Sequence, residues 1–120
     1  MKAGARAGSK NANRDAFETR LERVRERLAA TGADLLLVTR PANVRYLSGF
    51  ATPADARVLL SQDAAQLVTD GRYIAQAREE SALEPVILAS STLWLSHVAE
   101  RASGQRLAVE ADHLTLEQAQ

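Results

Sequence analysis

Five short apolar runs constrain this chain more than any other feature. They are Asp34-Leu-Leu-Leu-Val-Thr39, Arg57-Val-Leu-Leu-Ser61, Gln66-Leu-Val-Thr-Asp70, Pro85-Val-Ile-Leu-Ala89 and Arg106-Leu-Ala-Val-Glu110. None approaches the roughly 20 apolar residues that a membrane-spanning helix needs. Runs this short, with turn residues on both sides, suit strands covered by neighbouring layers. The segments between them carry helical spacing. Phe17, Leu21, Val24 and Leu28 recur on one helical face, with Asp15 as a candidate N-cap and Gly32 as the stop. Residues 41–48 suit one or two helical turns opening at Pro41, and Gly49 to Asp55 reads as a loop. Gln62-Asp63-Ala64 is a polar turn that pairs the second and third runs as a hairpin. Tyr73 to Ser81 predicts a helix with Ile74, Ala77 and Arg78 on its packed side, and Leu93 to Ala102 another, ended by Gly104. The resulting order is α, β, α-turn, β, β, α, β, α, β, which predicts a layered α/β domain with a mixed sheet.

With 120 residues, 46% of them apolar, the chain is long enough for one domain that buries roughly two thirds of its unfolded surface. It has no cysteine, which excludes a disulfide framework, a thiolate metal site and a cysteine nucleophile. The formal net charge is zero but unevenly spread. Residues 1–14 hold Lys2, Arg6, Lys10 and Arg14 without an acid, whereas the remainder has 11 basic and 15 acidic side chains. Residues 1–14 lack the apolar stretch of a secretory signal and read as a disordered basic leader, with the cytoplasm as the default location. No nucleic-acid or membrane partner is expected.

Groups able to do chemistry are sparse. His97 sits beside Leu95 and Val98 with no second histidine at helical spacing, and one imidazole alone is a poor divalent site. His113 has Glu110 and Asp112 nearby but lacks the spacing of a metal motif. Asp34, Asp55, Asp70 and Asp112 fall near strand ends, as two-metal nuclease carboxylates would, yet aspartate is also a common turn residue. Ser90 and Ser91 lie in no nucleophile elbow, and the glycines form no phosphate-binding loop. Aromatic residues, at 4%, are too few for a base-stacking platform. No catalytic and no metal-ligating residue is assigned.

Two clusters remain. Asn43-Val-Arg-Tyr46-Leu47-Ser-Gly49-Phe50 concentrates polar and aromatic side chains, and its rings can equally plug the core. Asp70-Gly71-Arg72-Tyr73 lies at a strand-to-helix junction, where Asp70 can cap the helix start and glycine permits a tight turn.

Taken in order from Phe17 to Glu110, these segments resemble the N-terminal domain of the creatinase/prolidase/aminopeptidase P family. The resemblance rests on an Arg-rich helix, a short strand, Asn43-x-x-Tyr46-Leu47-x-Gly49-Phe50, a hairpin ending Thr69-Asp70-Gly71-Arg72-Tyr73, and a strand ending Val109-Glu110. It implies an α/β domain with a ribonuclease-H-like mixed β-sheet flanked by helices, over residues 15–120. In the family this domain precedes a "pita-bread" catalytic domain whose Asp, Glu and His hold two divalent metals, manganese, cobalt or zinc, for cleavage of Xaa-Pro peptides. The resemblance further implies dimerisation through the N-terminal domain, and a loop after the Gly-Phe pair that edges the substrate pocket. By that reading Phe50, Asp55 and Arg57 are pocket-edge residues, and Asn43 and Tyr46 shape the loop. Arg57 can pair with a substrate carboxylate or with an acid of the catalytic domain.

Thr115-Leu-Glu-Gln118 has the form of a capping box with only two residues after it. The expectation is therefore a domain cut short before its catalytic partner, with an open sheet edge or apolar face that favours self-association. Two other readings share these motifs. One is a peptide- or protein-binding module from a metal-less relative, such as a histone chaperone subunit. The other is the N-terminal domain of a creatinase-like small-amide hydrolase.

Overall fold

The computed structural model describes residues 2–110. Helix α1 spans Lys2–Thr31, followed by strand β1 (Leu35–Val38) and helix α2 (Pro41–Ser48). A 3-10 turn at Pro53–Asp55 leads into β2 (Arg57–Leu60) and β3 (Ala65–Asp70). A second such turn, Gly71–Tyr73, opens α3 (Ile74–Glu80), after which come β4 (Glu84–Leu88), a third turn at Ser91–Leu93, α4 (Trp94–Arg101) and β5 (Leu107–Val109). The five strands form one mixed sheet in the order β4-β3-β2-β1-β5. Pairings β1–β2 and β2–β3 are antiparallel, and β1–β5 and β3–β4 are parallel. Only β2 therefore runs against the other four.

Alternation along the strands sorts the core into two layers. Val38, Val58, Leu60 and Leu67 pack with Val24 and Leu28 of α1, Val44 and Leu47 of α2, and Ala77 of α3. Leu35, Leu37 and Leu59 point the other way, onto Val98 and Trp94 of α4. Burying a side chain such as Val24 or Leu28 contributes about 1.5–3 kcal/mol, so α1 is held by its apolar stripe and not by propensity alone.

Two expectations are revised. Asp15 does not cap α1, because the helix runs back to Lys2; Asp15 lies inside it, and its carbonyl accepts the Thr19 hydroxyl at 2.9 Å. The alanines at 3, 5, 7 and 12 favour the helix and no proline interrupts it, although Gly4 and Gly8 each cost about 1 kcal/mol relative to alanine. On α3 the packed side is Tyr73 with Ala77, while Ile74 is 39% exposed and Arg78 lies in solvent. The helix starts one residue later than the periodicity suggests, after the Gly71–Tyr73 turn, which rotates its inner face. Asp112, His113 and the capping box at Thr115 lie outside the described residues.

Gly49 closes α2 with φ +78°, and a Cβ there would lie 2.9 Å from Phe17 Cζ of α1. A left-handed backbone and a close helix–helix approach both call for glycine at this one position.

Candidate functional site

The carboxyl ends of β1, β3, β4 and β5 share one edge of the sheet, the place where open α/β sheets usually present their binding residues. The start of antiparallel β2 lies there too, and with it Asp55 and Arg57. Asp34, at the opposite end of β1, receives the Arg106 N–H at 2.9 Å and is remote from this edge. The strand-end aspartates thus do not converge, and those described are each engaged. Asp55 accepts the Tyr73 hydroxyl at 2.5 Å, and Asp70 accepts Arg72.

The Asp70–Arg72 unit is a closed turn. Asp70 is buried, receives the Arg72 backbone N–H at 3.1 Å, and takes a two-pronged contact from the guanidinium at 2.8 and 3.0 Å. These hydrogen bonds hold its carboxyl below the usual carboxylate range, and the same contact pushes the Arg72 guanidinium up. The turn does not require the glycine expected at 71: its φ is not positive, and a Cβ there would meet nothing within 4 Å. Tyr73 then spans two layers: its ring meets Phe50 edge-on at 5.8 Å, and its hydroxyl donates to Asp55, which raises the phenol above its ordinary value.

The loop from Ala51 to Ala56 is fastened by α3 and by the end of β3. Thr69 Oγ1 donates to the Asp55 carbonyl at 2.8 Å. Gln76 Nε2 donates to Thr52 Oγ1 at 2.9 Å and to Glu80 Oε1 at 3.0 Å. Glu80 Oε1 also accepts the Ala51 N–H at 2.9 Å, which draws its carboxyl below the ordinary value. Tyr73, Gln76 and Glu80 recur every three to four residues, so they form one polar face of α3 turned to the loop. Gln76 and Glu80 belong to no motif, although polar residues at that helical spacing beside a loop are a usable signal.

Arg57 is the exposed edge's one distinctive cation. Its guanidinium lies 4.1 Å from the centre of the Trp94 ring, and its buried Nε makes no hydrogen bond among the described residues. Burial pulls its pKa down, and the Asp55 charge opposes that pull only in part. Asp55 is engaged by Tyr73 and Asp70 by Arg72, so neither carboxylate pairs with this buried Nε. Trp94 is the chain's only tryptophan and is absent from the sequence-derived set; its partnership with a strand residue far upstream leaves no local trace.

The remaining candidates part company. Phe50 and Asn43 have no exposed surface, so they support the loop from below and do not line an opening. Tyr46 turns toward α1, where Arg20 stacks on it at 4.4 Å, also covers Phe17 at 4.9 Å, and donates to the Tyr46 carbonyl at 2.7 Å. Asn43 Nδ2 donates at 2.7 Å to Glu110, whose carboxylate also receives the backbone N–H groups of Thr39 and Arg40 and the Thr39 hydroxyl. Glu110, noted above for its nearness to His113, caps α2. His97, half-buried, faces Gln66 Oε1 at 3.1 Å. Among the described residues no group of three or more His, Cys, Asp or Glu is placed to hold a metal ion, and no helix is long and apolar enough to cross a membrane.

A mixed five-stranded sheet flanked by helices, with a fastened loop at its carboxyl edge, defines a layered α/β domain. The chain belongs to the family described as the creatinase/prolidase N-terminal domain, whose model matches residues 20–120. Over 59 residues, 49% of this chain, it is 41% identical to the uncharacterized peptidase YqhT of Bacillus subtilis, of which it spans 16%. The Xaa-Pro dipeptidase from Bacillus anthracis superimposes with a TM-score of 0.71 at 31% identity, over 86% of this chain and 29% of that one. The N-terminal domain of the cytoplasmic peptidase PepQ from Mycobacterium tuberculosis does so with 0.67 at 31% identity, over 84% of this chain and 79% of that one.

Proposed function

We propose that this chain is the non-catalytic N-terminal domain of a metal-dependent Xaa-Pro dipeptidase or aminopeptidase of the cytoplasm, acting as a homodimer on short Xaa-Pro peptides. Two divalent ions, manganese, cobalt or zinc, belong in this reading to the catalytic domain that follows it. The observation that carries the site is Arg57: a half-buried planar cation, stacked on Trp94 and unpaired at Nε, at the carboxyl edge of the sheet beside a fastened loop. Asp55 and Arg57 form the pocket edge, and Phe50, Tyr46 and Asn43 hold the segment that presents them. Asp70, Gly71, Arg72 and Tyr73 make the structural turn from which the loop is tied. Residues 15–120 act as one unit and residues 1–14 as a basic leader to it.

The test is to extend the gene past the codon for Gln120 and assay the longer protein. A catalytic domain with two Asp, a His and two Glu as metal ligands, and an Arg57→Ala variant with raised KM and little-changed kcat, is the expected outcome. A following domain without those ligands supports a peptide-binding module instead. Turnover of Xaa-Pro peptides by the 120-residue chain itself, abolished by EDTA, overturns the proposal.

A further inference from the structure

The loop Ala51-Thr-Pro-Ala-Asp-Ala56 contains no glycine and one proline, whose ring fixes its own φ. It carries Asp55 and leads into β2, of which Arg57 is the first residue. Groups outside the loop hold it at both ends. Glu80 accepts the Ala51 N–H, Gln76 donates to the Thr52 hydroxyl, and Asp55 is held at its carbonyl by Thr69 and at its carboxylate by Tyr73. Just before the loop, the Ser48 carbonyl at the end of α2 accepts the Ala82 N–H at 2.8 Å, which ties the chain leaving α3 to the chain leaving α2. Within the loop, Asp55 and Ala56 donate back to the Thr52 and Pro53 carbonyls at 3.2 and 3.3 Å. Gln76 is the centre of this arrangement. Its amide nitrogen has two protons, and gives one to Thr52 Oγ1 and the other to Glu80 Oε1. Glu80 Oε1 takes that proton and the Ala51 N–H together. The carboxylate at 80 therefore needs a donor at 76.

We propose that Gln76 and Glu80 are positioning residues for the edge formed by Asp55 and Arg57: α3 clamps the loop in one shape, so the edge meets its peptide ligand preformed and does not close over it as a lid. Neither residue touches the ligand. They act through Ala51 and Thr52. A loop already ordered loses little conformational freedom when a ligand arrives, and affinity rises by that difference. A lid has the opposite build, with hinges that absorb backbone rotation and few bonds to the scaffold. The effect on affinity rests on the proposed function; the clamp itself does not. Charge shows how a near-isosteric change breaks it. Gln76→Glu exchanges the donor amide for an oxygen and sets two carboxylates against each other across a contact now made at 3.0 Å. Thr52 is not stranded, because its hydroxyl can turn and donate. Adding Glu80→Gln restores a donor and an acceptor with the roles exchanged: the new amide at 80 turns its N–H to position 76 and keeps its oxygen on the Ala51 N–H.

Amide exchange followed by NMR on the 120-residue chain reads the clamp, and steady-state kinetics on the longer protein read its effect. In Gln76→Glu the Ala51 N–H is expected to exchange more than about tenfold faster, while the β2 and β3 amides stay protected and show the fold intact. In the longer protein the same variant raises KM about three- to tenfold with kcat changed by less than about twofold. Gln76→Glu combined with Glu80→Gln returns both quantities toward those of the unaltered protein, a rescue that a residue serving only helix stability would not give. Unchanged Ala51 exchange in Gln76→Glu overturns the clamp. Faster exchange with unchanged KM overturns the positioning role, since the edge then binds equally well when loose. Equal losses in kcat and kcat/KM overturn it too, because the loop would then act only in the transition state. If the longer protein turns over no Xaa-Pro peptide with any of these sequences, the proposed function falls, and the exchange measurements alone uphold or overturn the clamp.

Discussion

Glu110, the residue after β5, reaches across the sheet to accept the buried side-chain amide of Asn43 at 2.7 Å. Helix α2 opens on Arg40, which supplies no side-chain cap of its own. The Glu110 carboxylate takes that office by accepting the Thr39 and Arg40 amides as well. A carboxylate at a helix N-terminus also meets the positive end of the helix dipole.

Glu110→Ala is therefore expected to destabilise the domain by about 1–3 kcal/mol, because it strands several donors at once, one of them buried. Asn43→Ala costs a similar amount, and the double variant costs less than the two together. Urea unfolding of the four proteins measures the coupling. Additive losses would show that the two groups do not act on each other.

Gly49→Ala meets two penalties, the left-handed backbone and the Phe17 ring. A loss of about 1–3 kcal/mol is expected. Adding Phe17→Leu removes the collision but not the backbone cost, so partial recovery of Tm is the outcome to look for.

Asp70 and Glu80 both have folded-state pKa values below the ordinary ones, held there by Arg72 and by the Ala51 N–H with Gln76. Their contribution to stability is complete above about pH 5 and is lost as pH falls through the lowered values. Arg72→Met raises the Asp70 carboxyl toward its ordinary range, and NMR titration of Asp70 reads this directly. Tyr73 works at the other limb. Its raised phenol pKa means that stability is present below about pH 10 and falls as the hydroxyl ionises.

Trp94 reports on Arg57, whose guanidinium covers its ring. Arg57→Ala exposes that face and is expected to red-shift the emission of this single tryptophan. Lysine at 57 keeps the charge but not the planar stack, and restores the spectrum only in part. Unchanged emission in Arg57→Ala would mean that the stack does not persist in solution.

Much of the fold was legible because strand and helix periods are local properties. Leu35–Val38 and Val58–Leu60 announced themselves as buried strands, and the polar turn at Gln62 fixed their hairpin neighbour. The inner face of α3 is less legible, since the Gly71–Tyr73 turn delays the helix and exposes Ile74. Around the loop, Asp55 and Arg57 follow from the family resemblance and Tyr73 from a motif, but what each one touches follows from neither. Trp94 lies 37 positions beyond Arg57 and Glu110 lies 67 beyond Asn43, and such pairings are set by sheet order, which no window of sequence records.

That long reach bears on the order in which the domain can be completed. Strand β1 is paired on one side by β2 as soon as residue 60 is available, but its other edge, and the cap of α2, wait for residues 107–110. Contacts closing loops of this length are entropically late. During synthesis the hairpin and α1 can therefore dock first, with α2 fraying at its open end. The last strand acts as a latch, and any chain released before Glu110 carries the helix without its fastening.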